Sequence, residues 1–248
     1  MTSQSEQYKS VERTYSGYAV ADKVYLQRVY RCVPNGALRF AEYFQENLEK
    51  LRSVAASLVP VGAWQTVYGP EEEVIHIYEF DSLGAMQPDL DLVLEGRTPG
   101  AAPPPGIQSQ SSKVMRALPY CPAELAAGGE RPRPDHRIAM FMAVFCTRSG
   151  VGDFIEHFHS GIEQRGRLDE ALVPVGAWRN LYGSRYYELN HIYSFESLAD
   201  MEEKRRHMYR DEGFMNRVKV NTSPLPPNFW EWGGASKLMT PLSYSRMR

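Results

Sequence analysis

Hydrophobic and polar positions follow two rhythms along this chain, and the changes of rhythm mark its elements. From Lys23 to Val33 the run Val-Tyr-Leu-Gln-Arg-Val-Tyr-Arg-Cys is dense in β-branched and aromatic residues and predicts a strand, ended by Pro34-Asn35-Gly36. Across 37–56, Leu38, Ala41, Phe44, Leu48 and Leu51 recur at steps of three and four, opposite Arg39, Glu42, Gln45, Glu46, Glu49 and Lys50, which predicts an amphipathic helix. A strand over 58–68 runs to the turn Tyr68-Gly69-Pro70, and a third over 73–80 pairs with it as a hairpin. Asp81-Ser82 caps a helix that starts at Leu83 and is expected to break soon, at Pro88. The Pro/Gly/Ser stretch 96–112 reads as a loop, and 113–118 as a closing strand.

After a Gly-, Pro- and Arg-rich linker at 126–135 the order returns. Strands are expected over 137–147, 172–182, 186–195 and 237–242, with helices over 151–170 and within 196–220. Residues 1–22 carry no period and read as a flexible lead-in.

The return is a duplication. Leu58-Val59-Pro60-Val61-Gly62-Ala63-Trp64 recurs unchanged as Leu172-Val173-Pro174-Val175-Gly176-Ala177-Trp178, and a seven-residue identity holding Trp, Pro and Gly does not arise by chance. His76-Ile77-Tyr78 recurs as His191-Ile192-Tyr193, Cys32 falls on Cys146, Phe40 and Phe44 on Phe154 and Phe158, Ser112-Lys113-Val114-Met115 on Ser236-Lys237-Leu238-Met239, and Tyr120 on Tyr244. Each half therefore reads β-α-β-β-α-β, the ferredoxin-like order of an antiparallel sheet with both helices on one face. The bare face needs a cover, and the sister copy is the simplest one. The expected fold is α+β: two tandem ferredoxin-like domains, 23–125 and 136–248, whose sheets meet as one eight-stranded barrel, wide enough for a small ligand.

Composition narrows the function classes. A formal charge of −2 gives no global pull on nucleic acid or anionic lipid, and no apolar run reaches the roughly 18 residues of a membrane span. The polar start, with Glu6 and Glu12, resembles neither a signal nor a transit peptide, so a cytoplasmic setting is expected. Cys32, Cys121 and Cys146 lack Cys-x-x-Cys spacing and read as reduced thiols, the first and last as small buried hydrophobes. His157 and His159, two apart on a helix, fall on different faces and are expected at the surface. No metal site and no cofactor are expected.

Strand alternation sorts the candidate chemistry. His76, Tyr78 and Phe80 share one face, Ile75 and Ile77 the other; the aliphatic face is expected to meet the helices, so that His76, Tyr78, His191 and Tyr193 point into the barrel. Trp64, Thr66 and Tyr68, with Trp178, Asn180 and Tyr182, are expected to line the same chamber. Arg28 and Tyr30 complete the candidate binding set. His76 or His191 can act as acid or base, the tyrosines can polarise an enolate, and Arg28 can hold a carboxylate or phenolate. The alternative for each His is a buried hydrogen bond to Glu73 or Glu188, and for Trp64 and Trp178 core packing.

The run Arg28-Val-Tyr30 leading to Pro34-Asn-Gly36, then Gly62-Ala-Trp64, then Glu73-Val-Ile-His76-Ile-Tyr78, and finally Ser112-Lys-Val-Met115 with Leu118-Pro-Tyr120, resembles the NIPSNAP family pattern. The resemblance implies the dimeric α/β-barrel superfamily, whose relatives include cofactor-independent monooxygenases, polyketide cyclases, lactone isomerases and haem enzymes. The second half departs from the pattern, with Met142-Ala-Val144 where Arg28-Val-Tyr30 stands in the first, which points to one asymmetric pocket rather than two equal ones. The expectation is a cofactor-independent cyclase, isomerase or monooxygenase of specialised metabolism acting on a small hydrophobic or aromatic molecule, with room for a homodimer. The rivals are a non-catalytic ligand-binding or scaffold protein and a haem-binding barrel with His76 or His191 as axial ligand.

Overall fold

The computed structural model describes residues 23–54, 56–69, 72–94, 104–121, 136–147, 150–185, 187–213, 215 and 235–247; the lead-in 1–22 and the linker 126–135 lie outside them. The first half runs β1 (Val24–Cys32), α1 (Gly36–Val54), β2 (Gly62–Tyr68), β3 (Glu73–Phe80), α2 (Leu83–Leu94) and β4 (Ile107–Ala117). The second runs β5 (Ile138–Phe145), α3 (Val151–Leu168), β6 (Gly176–Tyr182), β7 (Glu188–Phe195), α4 (Leu198–Arg210) and β8 (Ser236–Pro241).

The eight strands close a barrel in the order β1-β3-β2-β8-β5-β7-β6-β4. Within it each half keeps the ferredoxin-like order, β4-β1-β3-β2 and β8-β5-β7-β6, every neighbour antiparallel. Two seams join the halves, β2 to β8 with Thr66 opposite Met239, and β4 to β6 with Met115 opposite Asn180. Closure leaves neither sheet an unpaired edge, and that pairing, not packing alone, unites the copies.

Four elements differ from the sequence expectation. β2 and β6 begin at Gly62 and Gly176 rather than at 58 and 172, because a short 3-10 turn, Ala56–Leu58 or Glu170–Leu172, stands at the start of each repeated heptapeptide. β4 begins at Ile107, six residues earlier than its apolar pattern begins, because the Ser/Gln run 108–112 pairs along β1 from Ser109 opposite Arg31 to Ser112 opposite Arg28. Ladder hydrogen bonds do not require hydrophobic side chains. α2 continues through Pro88 to Leu94; its start is fixed by the Ala85 amide donating to Ser82 Oγ at 3.1 Å and by buried Met86, so the proline removes one backbone bond without ending the helix.

The repeated heptapeptide has a steric explanation. Trp64 and Trp178 fold their indoles back over Gly62 and Gly176, where an added Cβ would lie 2.2 and 2.0 Å from the ring carbon Cη2. Ala63 and Ala177 face the helices with no exposed surface. Glycine makes room for the ring on one side of the strand and alanine for the helical layer on the other.

Candidate functional site

Alternation divides each strand as expected, but the faces of β1, β3 and their counterparts are reversed. Val24, Leu26, Tyr30, Val74, Tyr78 and Phe80 pack with Phe40, Phe44, Leu48 and Leu51 of α1, whereas Tyr25, Ile75, Ile77, Met115, Phe141, Ile192 and Met239 fill the barrel with Trp64 and Trp178. The expected chamber lined by His76, Tyr78, His191 and Tyr193 is therefore corrected: these side chains lie between sheet and helices, and the middle of the lumen is packed with aliphatic, Met and Trp side chains. Both faces of β3 are buried, so hydrophobicity alone carried no sign of which was inside. Rings went with rings, since Phe40 and Phe44 on α1 meet His76 at 5.6 and 4.5 Å between centroids. Trp64 and Trp178 do point into the barrel, as core. Tyr68 and Tyr182 stand at the rim, each 62% exposed, and line no chamber.

Beneath α1 the polar groups form a continuous chain. Tyr30 Oη lies 3.3 Å from Tyr78 Oη, which is 3.0 Å from His76 Nδ1, and His76 Nε2 bonds Tyr244 Oη at 2.9 Å. Arg28, also on this face and 2% exposed, donates to Gln110 Oε1 at 2.6 Å with its guanidinium 5.2 Å over the Tyr30 ring. Burial, helped by the Arg28 charge, lowers the His76 pKa to about 3, and burial raises the Tyr30 and Tyr78 hydroxyls. A neutral imidazole that bonds through both nitrogens is held in one place.

Beneath α3 the equivalent layer is less complete. Tyr120 Oη bonds His191 Nε2 at 2.8 Å and the two rings stack, but His191 Nδ1, with no exposed surface, makes no hydrogen bond among the described residues. Burial and then Arg165 lower the His191 pKa to about 3. Arg165 stands 114 residues after Leu51, so a cation occupies the place of a core leucine; its guanidinium lies 4.4 Å over the Phe158 ring. Arg205 of α4 joins it in opposing the burial-driven rise of the Tyr193 pKa. Met140 and Met142, where the first half has Leu26 and Arg28, are half-buried against this layer. His157 and His159, expected at the surface, are both half-buried, and His159 stacks on Tyr120 at 6.2 Å.

The histidines' partners are also corrected: tyrosines rather than Glu73 and Glu188. Each comes from the other half, since Tyr120 follows β4 and bonds His191, while Tyr244 follows β8 and bonds His76. Glu73 and Glu188 face the lumen, where they meet lysines across the seams: Lys237 bonds Glu73, and Lys113 donates to Glu188 at 2.6 Å. All eight residues stood in repeated motifs, so duplication was the signal for them; Arg165 and Arg205, unique to the second half, had no such signal. Cys32 and Cys146 are free and buried, their thiols pushed up by burial to about 11 and about 12. Among the described residues no group of His, Cys, Asp and Glu is placed to hold a metal, and no helix is long and apolar enough to cross a membrane.

The NIPSNAP family profile matches residues 25–122 and 146–225, both halves. A NipSnap homolog from Dictyostelium discoideum is 22% identical over 211 residues, covering 84% of this chain and 83% of its own. Among solved structures, a provisional monooxygenase from Fusobacterium nucleatum superposes with a TM-score of 0.55 at 9% identity, covering 90% of this chain and 94% of its own. An anthrone oxidase-like protein does so with a TM-score of 0.51 at 11% identity, over 89% and 91%. At such identities the structures share the fold.

Proposed function

Since this chain belongs to the NIPSNAP family and its halves have diverged in the layer between helices and sheet, we propose that it binds a hydrophobic, aromatic small molecule bearing an acidic phenol or enol in the second half, among α3, α4, β5 and β7. The observation that carries the reading is the contrast at the repeated histidine: His76 is bonded through both nitrogens, whereas His191 Nδ1 makes no hydrogen bond among the described residues and lies near Tyr193, whose hydroxyl feels the charges of Arg165 and Arg205.

The chemistry follows from charge. Two guanidiniums at the edge of a ring-lined, low-dielectric layer favour the anion of a bound phenol or enol, and its proton leaves to solvent. Phe154, Phe158 and Tyr120 supply flat apolar surface, while Met140 and Met142 supply adaptable walls. The enolate so favoured is the electron-rich form shared by cyclases, isomerases and cofactor-independent oxygenases, and the name of one structure of similar fold, an anthrone oxidase-like protein, suggests anthrone as a probe. His191 is too weak a base to take a proton near neutrality; its role in this reading is to accept a hydrogen bond from the ligand and orient it. The first half serves as the closed counterpart, with His76, Tyr30, Tyr78 and Arg28 holding α1 on the sheet.

Titration with anthrone, followed by the absorbance of its anion, tests this. Wild type is expected to bind and to shift anthrone toward the anion; Arg165→Leu and Arg205→Leu each weaken binding about tenfold and reduce the shift, the size of a lost charge-assisted contact. Binding that ignores both substitutions, or no saturable binding, overturns the reading. Anion formation without consumption of anthrone in air marks binding without turnover.

A further inference from the structure

We propose that the open end of the barrel lumen is a second binding site, for a short carboxylic acid that also carries a hydroxyl or amino group. It is independent of the helix-layer site, from which the sheet separates it.

The lumen changes character along its length. At the end where β2 and β6 begin, Trp64, Trp178, Tyr25, Val61 and Val175 fill it, and Glu79 accepts from Tyr25 Oη at 3.0 Å and pairs with Lys23. At the opposite end, where β3 and β7 begin, alternation turns Arg31, Glu73, Lys113, Glu188 and Lys237 inward. Glu73 and Glu188 are 2% and 1% exposed. Among these five inward-facing residues three cations face two carboxylates. Lys113 and Lys237 are partly open to solvent, and each ammonium has three N–H donors for one carboxylate partner here. Ser111 is exposed and Val29 and Phe145 half-buried on the same inward face, so solvent reaches into this end.

Deeper in, polar atoms stand without partners. Gln27 is 1% exposed, sits opposite Lys113 on the neighbouring strand, and neither its amide nitrogen nor its amide oxygen makes a hydrogen bond among the described residues. The same holds for Asn190 Oδ1 and Trp178 Nε1, both on the inward face and both in residues with no exposed surface. Leaving such groups unbonded costs a folded protein stability, so a core built for stability alone would carry apolar side chains there. The second half does so at one of the positions: Phe141 occupies the place of Gln27. Ala143, opposite Asn190, is smaller than Val29 at the matching place in the first half, leaving more width on that side.

The unused groups define the ligand. The lysine N–H groups, Gln27 Nε2 and Trp178 Nε1 are donors and call for a carboxylate; Gln27 Oε1 and Asn190 Oδ1 are acceptors and call for a hydroxyl or ammonium close to it. A 2-hydroxy or 2-amino acid presents both within a few atoms.

Calorimetric titration of the full chain with L-malate and with L-glutamate tests the site, alongside Gln27→Leu and the pair substitution Lys113→Met with Glu188→Met. Gln27→Leu removes a buried amide that makes no hydrogen bond among the described residues, so it is expected to fold and melt at or above the wild-type temperature. Wild type is expected to bind one of the two acids saturably, Gln27→Leu to bind it about tenfold more weakly, and the pair substitution to lose it. Anthrone binding is expected to be unaffected by Gln27→Leu, so the two sites stand or fall separately. No saturable binding of either acid by wild type, or affinity unchanged in Gln27→Leu, overturns the proposal.

Discussion

Beneath α1, His76 bonds tyrosines through both ring nitrogens and Leu48 and Leu51 close over it; beneath α3, His191 bonds one tyrosine, and Arg165 stands where the leucine would be. The backbone framework is the same in both halves, down to the interdigitated Tyr244 and Tyr120. What separates them is how the repeated histidine is bonded and the presence of Arg165 at the helix edge. A histidine bonded through both nitrogens has nothing to offer a ligand, whereas one with a nitrogen to spare does, at a cost in stability that the other half can offset.

The largest expected effect is acid destabilisation. Both histidines fold with pKa values of about 3, below the ordinary 6.5, so the unfolded chain takes up protons first as the pH falls. Their contribution is full above about 6.5 and declines below it, by up to about 1.4 kcal/mol per pH unit for each histidine, down to the folded pKa. Denaturant midpoints between pH 7.5 and 4.5 measure the slope, and His76→Asn and His191→Asn should each remove one share. A smaller share for His191 would mean that water already reaches the second layer in the unliganded protein, which would sharpen the contrast.

Next in size come Gly62→Ala and Gly176→Ala. Each drives a methyl into an indole and is expected to destabilise by about 3 kcal/mol, equally in both halves, by urea denaturation. Unequal costs would show that the Trp layer, symmetric by geometry, differs in packing freedom. The smallest are Tyr244→Phe, expected at about 2 kcal/mol because it interrupts a chain of four bonded groups, and Tyr120→Phe, at about 1 kcal/mol because His191 has only that bond to lose. Equal losses in the same denaturation experiment would erase the proposed difference between complete and incomplete layers.

Much of the architecture was legible before any coordinates. The heptapeptide at Leu58 and Leu172 announced two copies, and the β-α-β-β-α-β order carried the sheet topology with it. The inward face of β3 was not legible, because Ile75 and His76 are both buried and a period of two names two faces without saying which is inside. Glu73 and Lys113 held the missing hint: charged residues repeated on the same parity as Ile75 and Met115 form pairs across the seam only if that parity faces inward. The start of β4 at Ile107 was hidden for another reason, since Ser109, Gln110 and Ser111 become strand through pairing with β1, a long-range contact that local composition does not report. Tyr120 and Tyr244 matched each other in sequence, but nothing in spacing says that each bonds the opposite copy's histidine.

The exchange of those two tyrosines bears on how such a protein can change. In an assembly of identical chains, every substitution is made twice, so an arginine tolerated under one helix must also be tolerated under the other. Tethering two copies in one polypeptide lifts that restriction: Leu51 can go on sealing one lobe while its counterpart, Arg165, brings a charge to the other. Because each lobe reaches into its sister for a histidine's hydrogen bond, neither can be discarded, and the freedom to diverge comes with permanent mutual dependence.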